Sequence, residues 1–254
     1  MLLPAVAFMD PLTIAAASGI RSRMQSLDLL ANNLANTGTA GFKRDQEFYG
    51  LFTSDDATAG DNGSLSTVPV LERQWTDFSQ GDLQTTGNPM NAAISGNGFF
   101  SVNGPNGPLY TRNGILQVLP SGELATANGH ALRSTAGNTI QVSPNKPIVI
   151  APDGTVQQNG QSLGQLAVVT FKSTRPLTKV GNTCFQNSDP KNLPVAATNV
   201  EVQQGKIEGS NVPVAEAAMR LVGVMRQFEM LQKAIGISSD MDTKNIQEVA
   251  RVGS

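Results

Sequence analysis

Residues Pro11–Ala35 read PLTIAAASGIRSRMQSLDLLANNLA, and this stretch decides how the chain is organised. Asp10 is a good N-cap, and Pro11 suits the first helical position because its missing N–H would be unsatisfied there in any case. Apolar residues then recur in steps of four, three, four and three, which is the spacing of a heptad seam. They are Ile20, Met24, Leu27, Ala31 and Leu34. Asn36 and Gly38 then end the predicted helix.

The other end of the chain repeats this pattern. Ser210 and Asn211 form a second capping signal, and Glu216 lies in the predicted first turn of a long helix. Its apolar residues again follow a heptad seam, which consists of Val214, Ala218, Leu221, Met225, Phe228, Leu231 and Ile235. Because Gly223 and Gly236 interrupt this seam, the pattern leaves open whether the helix continues beyond Gly236.

Between the two helical segments the helical period disappears. Short apolar or alternating runs separated by turn signals predict strands, and the clearest runs are residues 98–102, 115–118, 148–150 and 166–171. Three triplets place a φ-fixing proline two residues before a glycine, which predicts hairpins: Pro105-Asn106-Gly107, Pro120-Ser121-Gly122 and Pro152-Asp153-Gly154. Residues 54–66 have little to bury and predict a mobile loop or an edge ribbon.

These patterns predict an α+β chain with a central mainly-β domain and two terminal helices that pair as a coiled-coil-like inner domain. The expected divisions are an N-terminal helix in residues 1–40, an extended or β connector in 41–88, a mainly-β outer domain in 89–209 and a C-terminal helix in 210–254. An alternative is that both helices pack on the central sheet. The seams favour association instead, because a stripe that packs on a sheet is usually wider.

Composition narrows the possible functions. Lysine and arginine total 18 against 20 acidic residues, and without a long basic run we expect no nucleic acid partner. The single cysteine, Cys184, excludes an intrachain disulfide and predicts a thiol that is buried or merely tolerated. Residues 1–20 are apolar, but they lack a basic region and contain Asp10, so neither a cleavable signal peptide nor membrane insertion is expected.

The chain offers little catalytic chemistry. His130 is the only histidine, which excludes a multi-histidine metal site, and it reads as a structural residue in a turn that enters a strand. Gly96-Asn97-Gly98 lacks the third glycine of a dinucleotide loop and predicts a bulge or hairpin. Trp75 predicts a packing contact, in the core or between subunits, rather than a ligand contact. Neither Asp55-Asp56 nor Asp240 with Asp242 has calcium-loop spacing, so we expect no catalytic, cofactor-binding or metal-binding residue and no cofactor.

Three sets of motifs resemble the rod and hook proteins of the bacterial flagellum. The first is SLDLLANNLANT in residues 26–37 with GFKR in 41–44; the second is AISGNGFF in 93–100 with YTRNG in 110–114 and GEL in 122–124; the third is EGSNV in 208–212 with PVAE in 213–216 and RQFEM in 226–230. The motifs occur in the family's order and cover most of the chain. Within the family, the sequence FEM at residues 228–230 and the lack of a long insertion between Phe42 and Met90 resemble the proximal rod type more than the distal type.

The resemblance implies a structural subunit of the basal-body rod whose terminal helices pair in an inner tube while the β domain faces outward. The implied partners are copies of itself, other rod- and hook-family axial proteins and the flagellar type III export apparatus, which needs no cleavable signal peptide. The family usually starts near a position like Met9-Asp10, so residues 1–8 read as an extension or a misassigned start. The alternatives are a distal rod or hook-type axial protein, or a secreted β-domain glycan-binding or hydrolase module.

Overall fold

A computed structural model describes residues 11–53, 67–144, 146–181 and 183–252. In this part of the chain a mainly-β central region lies in sequence between two helices, which confirms the α+β class. Helix α1 spans Pro11–Ala35 and helix α2 spans Val214–Val252. The Asp10 cap and the predicted loop at residues 54–66 lie outside the described residues.

The strands are short, apart from the first two. They are β1 (Asp45–Thr53), β2 (Thr67–Thr76), β3 (Leu83–Thr85), β4 (Ala92–Ser95), β5 (Phe99–Gly104), β6 (Gly107–Thr111), β7 (Leu116–Val118), β8 (Leu124–Thr126), β9 (Ile148–Ile150), β10 (Thr155–Gln158), β11 (Gln161–Gln165), β12 (Val168–Thr170), β13 (Leu177–Val180), β14 (Cys184–Asn187), β15 (Val195–Ala196), β16 (Glu201–Gln204) and β17 (Lys206–Glu208). Four of them confirm the strands predicted from the apolar runs: β5, β7, β9 and β12.

The chain divides into two compact units, each made of discontinuous segments. Unit 1 contains both helices and the two-stranded β1–β2 sheet, from residues 1–34, 45–75 and 214–254. Unit 2 contains residues 35–44 and 76–213 and holds all the other strands. The segment that follows α1 and the segment that precedes α2 therefore belong to the same unit.

An antiparallel sheet of six strands, in the order β13-β14-β6-β5-β12-β15, organises unit 2. Alternation along β5 sends Phe100 and Val102 into one apolar cluster and Phe99 into a second, aromatic cluster. Strand β14 does the same with Cys184 and Phe185. The centre of this sheet is therefore buried on both faces, and Cys184 is the buried free thiol that was predicted.

The three proline–glycine triplets all form the predicted hairpins. They join β5 to β6, β7 to β8 and β9 to β10, and each pair is antiparallel. A fourth hairpin, between β10 and β11, turns at Asn159-Gly160, where both residues have positive φ. The Asn-Gly pair is itself a strong hairpin signal, and this hairpin was not among the predicted ones.

Helix α2 runs without interruption past Gly223 and Gly236, which answers the question that the sequence pattern left open. Two local predictions are corrected. The turn at residues 96–98 is not a hairpin, because β4 pairs with β16 while β5 pairs with β6 and β12. Asn211 does not cap α2, because its side chain binds residues of unit 2 instead.

Candidate functional site

The most buried charges of the described chain meet in unit 2, in a group we call the charge cluster: Lys43, Arg112 and Glu208. The Lys43 ammonium lies 2.5 Å from Glu208 Oε1, and both side chains are fully buried. Arg112 Nη1 lies 2.9 Å from Glu208 Oε2, and the Arg112 side chain is 3% exposed. Two cations thus share one carboxylate in a site closed to solvent.

Three elements bring these side chains together. Lys43 lies just before β1, Arg112 directly follows β6, and Glu208 ends β17. Strand β17 is held by β3, where Glu208 pairs with Leu83. Each charged residue therefore lies at or near the end of a strand. The backbone is less regular there, so the three side chains can converge on one site.

Two glycines allow the backbones to approach each other closely at this junction. A Cβ at Gly41 would collide with the backbone of Arg112 and Asn113, and Gly41 also has a φ of +71°. A Cβ at Gly81 would collide with the carbonyl of Gly209. Only glycine fits at these positions without movement of the neighbouring chain.

Backbone groups complete the cluster. Gly81 N–H donates to Glu208 Oε1 over 2.9 Å, and Lys43 Nζ donates to the Ser79 carbonyl over 2.5 Å. Arg112 Nη2 donates to the Gly96 carbonyl over 2.7 Å. The buried charges are therefore held by a nearly complete set of hydrogen bonds, which a buried ion pair needs if it is not to be strongly destabilising.

Burial sets the electrostatics of the two cations. It lowers the pKa of the Lys43 ammonium from its ordinary 10.5, and the attraction of Glu208 opposes this effect. Burial likewise lowers the pKa of the Arg112 guanidinium, again against Glu208. The guanidinium carbon of Arg112 also lies 5.3 Å from the centre of the Phe99 ring, where the negative face of the ring favours a cation.

A second polar group extends this junction toward the surface. Arg44 Nη2 lies 3.0 Å from Asp77 Oδ2, and the Asp77 backbone N–H donates to the Arg44 carbonyl. Asn211 joins the same residues, because its Oδ1 accepts from the Arg44 N–H over 2.7 Å and its Nδ2 donates to the Asp77 carbonyl over 2.8 Å. The Asn211 N–H also donates to the Phe42 carbonyl. Residues 42–44, 77–81 and 208–211 are thus bound to one another.

The arrangement fastens chain segments and offers no reacting group. Within unit 2 it ties the residues that follow α1 to the residues that precede α2, over a sequence separation of 165 residues between Lys43 and Glu208. All three charges lie within the family motifs, but no pattern in the sequence predicts that they meet. The signal in the sequence was one charged residue in each of three separate motifs: Lys43 in GFKR, Arg112 in YTRNG and Glu208 in EGSNV.

The predicted assembly residues of α2 lie mostly along one half-buried line. Ala218, Leu221, Phe228, Leu231 and Ile235 are partly buried. The other two members of the predicted seam are exposed, Val214 at 54% and Met225 at 47%.

In α1 the predicted seam is more exposed. Ile20, Leu27 and Leu34 are partly buried, whereas Met24 and Ala31 are exposed. The fully buried side of α1 lies one residue away from the predicted seam and consists of Gly19, Ser22, Ser26, Leu29, Leu30 and Asn33. Gly19 is next to α2, because a Cβ built on it would lie 3.5 Å from Leu231 Cδ1.

The residues considered for chemistry have structural surroundings. His130 is partly exposed and follows the turn after β8, as predicted, and its carbonyl accepts from the Thr126 N–H. Trp75 is 48% exposed. Within the described residues no group of three or more His, Cys, Asp or Glu side chains is placed to hold a metal ion. No described helix combines the length and the apolar character that a membrane span requires.

Two family models match the chain. The D1 domain of the flagellar hook protein FlgE/F/G matches residues 93–158, which include Arg112. The C-terminal model of the flagellar basal body rod FlgEFG proteins matches residues 203–248, which include Glu208 and much of α2. Both models thus cover residues of the charge cluster.

Relatives match along nearly the whole chain. The flagellar basal-body rod protein FlgG of Buchnera aphidicola subsp. Acyrthosiphon pisum is 32% identical, over 88% of this chain and 94% of its own length. The rod protein FlgF of Mesorhizobium japonicum is 30% identical, over 87% and 91%. The rod protein FlgF of Caulobacter vibrioides is 27% identical, over 90% and 93%. The chain therefore belongs to the flagellar basal-body rod protein family, whose members are structural subunits of the rod.

Proposed function

We propose that this rod subunit assembles axially through α1 and α2, which pair as a coiled-coil-like inner domain while unit 2 faces outward. Its partners in the rod are copies of itself and other rod- and hook-family axial proteins. Together they form part of the shaft that links the membrane-embedded base to the hook. The observation that carries this proposal is the charge cluster, because it fastens the segment that follows α1 to the segment that precedes α2.

A fixed connection between residues 41–44 and residues 208–211 suits a subunit that transmits force. A buried ion cluster contributes little net stability compared with apolar residues of the same size, but its geometry admits few alternative arrangements. Lys43 and Arg112 both form their ion pairs with the one carboxylate of Glu208. We infer that the cluster fixes the register of residues 41–44, which follow α1 in the sequence, against residues 208–211, which precede α2.

Within the rod we assign the chain to the proximal type. The sequence FEM at residues 228–230 and the lack of a long insertion between Phe42 and Met90 support this assignment. The competing assignment is a distal rod or hook-type axial protein. We further propose that the type III export apparatus carries the chain outward without a cleavable signal peptide, and that the chain works without a cofactor or an enzymatic activity, as a structural relative would.

The test introduces a charge into each predicted seam. Leu27→Asp and Phe228→Asp are expected to prevent incorporation into isolated basal bodies, because the seam would have to desolvate a carboxylate. The matched controls are Gln25→Asp and Gln227→Asp, which place the same charge on exposed positions of the same helices. Circular dichroism of each purified variant checks that unit 2 stays folded.

Incorporation of both seam variants at the level of the controls would contradict assembly through these helices. The proximal assignment has a separate readout. Electron cryomicroscopy of the basal body should place this chain next to the membrane-embedded base, and density next to the hook would contradict the assignment.

A further inference from the structure

Gln80 is an exposed residue of unit 2 with an uncommon set of partners. Glutamine side chains at the surface are mostly solvated. Both ends of the Gln80 amide instead bind one backbone segment: Nε2 donates to the Ile94 carbonyl over 3.0 Å, and Oε1 accepts from the Gly96 N–H over 3.2 Å. Because one partner is an acceptor and the other a donor, they fix the orientation of the amide.

Arg112 of the charge cluster binds the same two residues. Its Nη2 donates to the Gly96 carbonyl over 2.7 Å, and its Nη1 donates to the Ile94 carbonyl over 3.4 Å. The end of β4 is therefore held both by a buried cation and by an exposed amide. Neither side chain comes from a strand that pairs with β4, since the partner of β4 is β16.

The turn at residues 96–98, which joins β4 to β5, has a restricted conformation. Gly96 has a φ of +106°, and a Cβ built on it would lie 2.8 Å from the Asn199 carbonyl oxygen. Asn97, at the centre of the turn, is exposed. The turn thus lies at the surface of unit 2, but its first residue is fixed from inside the unit.

The residues on either side of Gln80 take part in the charge cluster. The Ser79 carbonyl accepts from Lys43 Nζ, and the Gly81 N–H donates to Glu208 Oε1. The contacts therefore form a closed ring, which runs from Glu208 to Arg112, from Arg112 to residues 94–96, from these to Gln80, and through Gly81 back to Glu208. Hydrogen bonds in such a network strengthen one another, and removing one of them weakens the others.

We propose that Gln80 is a positioning residue that couples the turn at residues 96–98 to the charge cluster. The three charged side chains of the cluster are buried and Gln80 is exposed, so Gln80 is where the ring reaches the surface. Coupling of this kind is reciprocal: a contact that orders the turn stabilises the cluster, and the closed cluster orders the turn. The coupling lies within unit 2 of a single chain and does not depend on how the rod assembles.

Gln117 provides a matched comparison in the same unit. It is also exposed, and its Nε2 donates to the carbonyls of Thr126 and Ala127 over 3.0 and 3.3 Å. These partners lie in β8 and the turn that follows it, and the ring does not include them. Gln117 is therefore a glutamine that fastens a turn locally, which is the role Gln80 would have without the coupling.

The first test is a double-mutant cycle in the full-length chain, measured by urea unfolding. Gln80→Met keeps the length of the side chain and removes both hydrogen bonds, so it should lower the folding equilibrium constant about tenfold. In a Glu208→Gln background the ring is already open, and the same change should lower the constant only about twofold. Gln117→Met should lower the constant by one and the same factor in both backgrounds. Equal factors for Gln80→Met in the two backgrounds would overturn the proposal.

The second test needs no change at Glu208, because that change alone destabilises unit 2. Gly41 N–H donates to the Glu208 carbonyl over 2.8 Å and is far from Gln80 in sequence. Hydrogen exchange of this amide is measured in the full-length Gln80→Met and Gln117→Met variants. Each variant removes the hydrogen bonds of one glutamine, so the contribution of global unfolding is similar in both. Exchange of the Gly41 amide should be at least about fivefold faster in Gln80→Met than in Gln117→Met, and equal rates would overturn the proposal.

Discussion

Glu208 is a buried carboxylate with donors from three parts of unit 2. Lys43 and Gly81 donate to one of its oxygens, and Arg112 donates to the other. Removing one partner of a buried ion cluster leaves the remaining charges without compensation, which costs more than the net contribution of the intact cluster. The stability of unit 2 should therefore depend strongly on this one side chain.

Glu208→Gln should lower the free energy of unfolding of unit 2 by about 3–5 kcal/mol, because Lys43 and Arg112 would stay buried without a counter-charge. Urea unfolding followed by circular dichroism measures the change. The control is Glu201→Gln, at an exposed carboxylate, which should change the free energy by less than about 0.5 kcal/mol. Equal stability of the two variants would show that Glu208 is not held as described.

The Asp77 carboxyl makes the stability of unit 2 dependent on pH in the acid range. Burial raises the pKa of its carboxyl, but hydrogen bonds from Ser79 and Arg44 outweigh burial and hold the pKa below the ordinary 3.8. The unfolded chain then binds this proton at a higher pH than the folded chain. The stabilising contribution is present above 3.8 and is lost as the pH falls through the folded value.

Asp77→Asn should therefore flatten the loss of stability in acid, measured as the urea midpoint over a series of pH values below about 5. The variant should also be less stable than the unmodified chain at neutral pH, because Arg44 loses its ion pair. Asp153→Asn is a useful comparison, since that carboxyl also has a lowered pKa but is fully exposed. If the urea midpoint of Asp77→Asn falls with decreasing pH as steeply as that of the unmodified chain, the lowered pKa of the Asp77 carboxyl is contradicted.

At the scale of elements, the two glycines inside α2 are open to substitution. A Cβ at Gly223 or at Gly236 would meet nothing within 4 Å. The helix continues through both positions, so the conformation there suits alanine. Glycine in these places reduces the stability of α2 without providing a packing contact in its own chain.

Gly223→Ala and Gly236→Ala should each stabilise α2 by up to about 1 kcal/mol, because alanine loses less backbone entropy in a helix. Thermal unfolding followed by the helical circular dichroism signal measures the effect. Gly114→Ala provides the opposite case, since its Cβ would collide with the Ala92 carbonyl. Loss of the helical signal in the α2 variants would contradict this prediction and would indicate that the two glycines are needed for a bent form of the helix.

Local signals predicted the elements of this chain better than their pairing. The ends of α1 and the three proline–glycine hairpins follow from residues that are close in sequence. The pairing of β3 with β17 and of β4 with β16 joins residues 83–95 to residues 201–208, and no local pattern encodes it. For the same reason the sequence did not predict the charge cluster. Asn211 was predicted to cap α2, but its side chain binds Arg44 and Asp77, which are distant in sequence.

At the scale of the whole molecule, the chain consists of one unit rich in long-range strand pairing and one unit built on two long helices. Helices with one covered side open locally more readily than strands inside a doubly covered sheet. The two units should therefore differ in their resistance to proteases, with a resistant core that begins near residue 40 and ends near residue 210.

Limited trypsin digestion should cut α2 at Arg226, Lys233 and Lys244 before it cuts unit 2, with the fragments identified by mass spectrometry. Lys172 and Lys191 are the internal controls, because they are also exposed but lie in unit 2. Exposure alone would predict equal cutting at all five sites. Early cuts at the two control lysines, or a chain that resists cleavage at both ends, would contradict the predicted difference in protease resistance between the two units.

The separation of 165 residues between Lys43 and Glu208 has a consequence for the order of folding. A chain that emerges with its N-terminus first presents Lys43 and Arg112 long before it presents their carboxylate. During synthesis the cluster can close only when nearly all of unit 2 is available, and its long loop leads us to expect that it forms late in folding. Substitutions at Glu208 should then mainly accelerate unfolding and leave the folding rate almost unchanged.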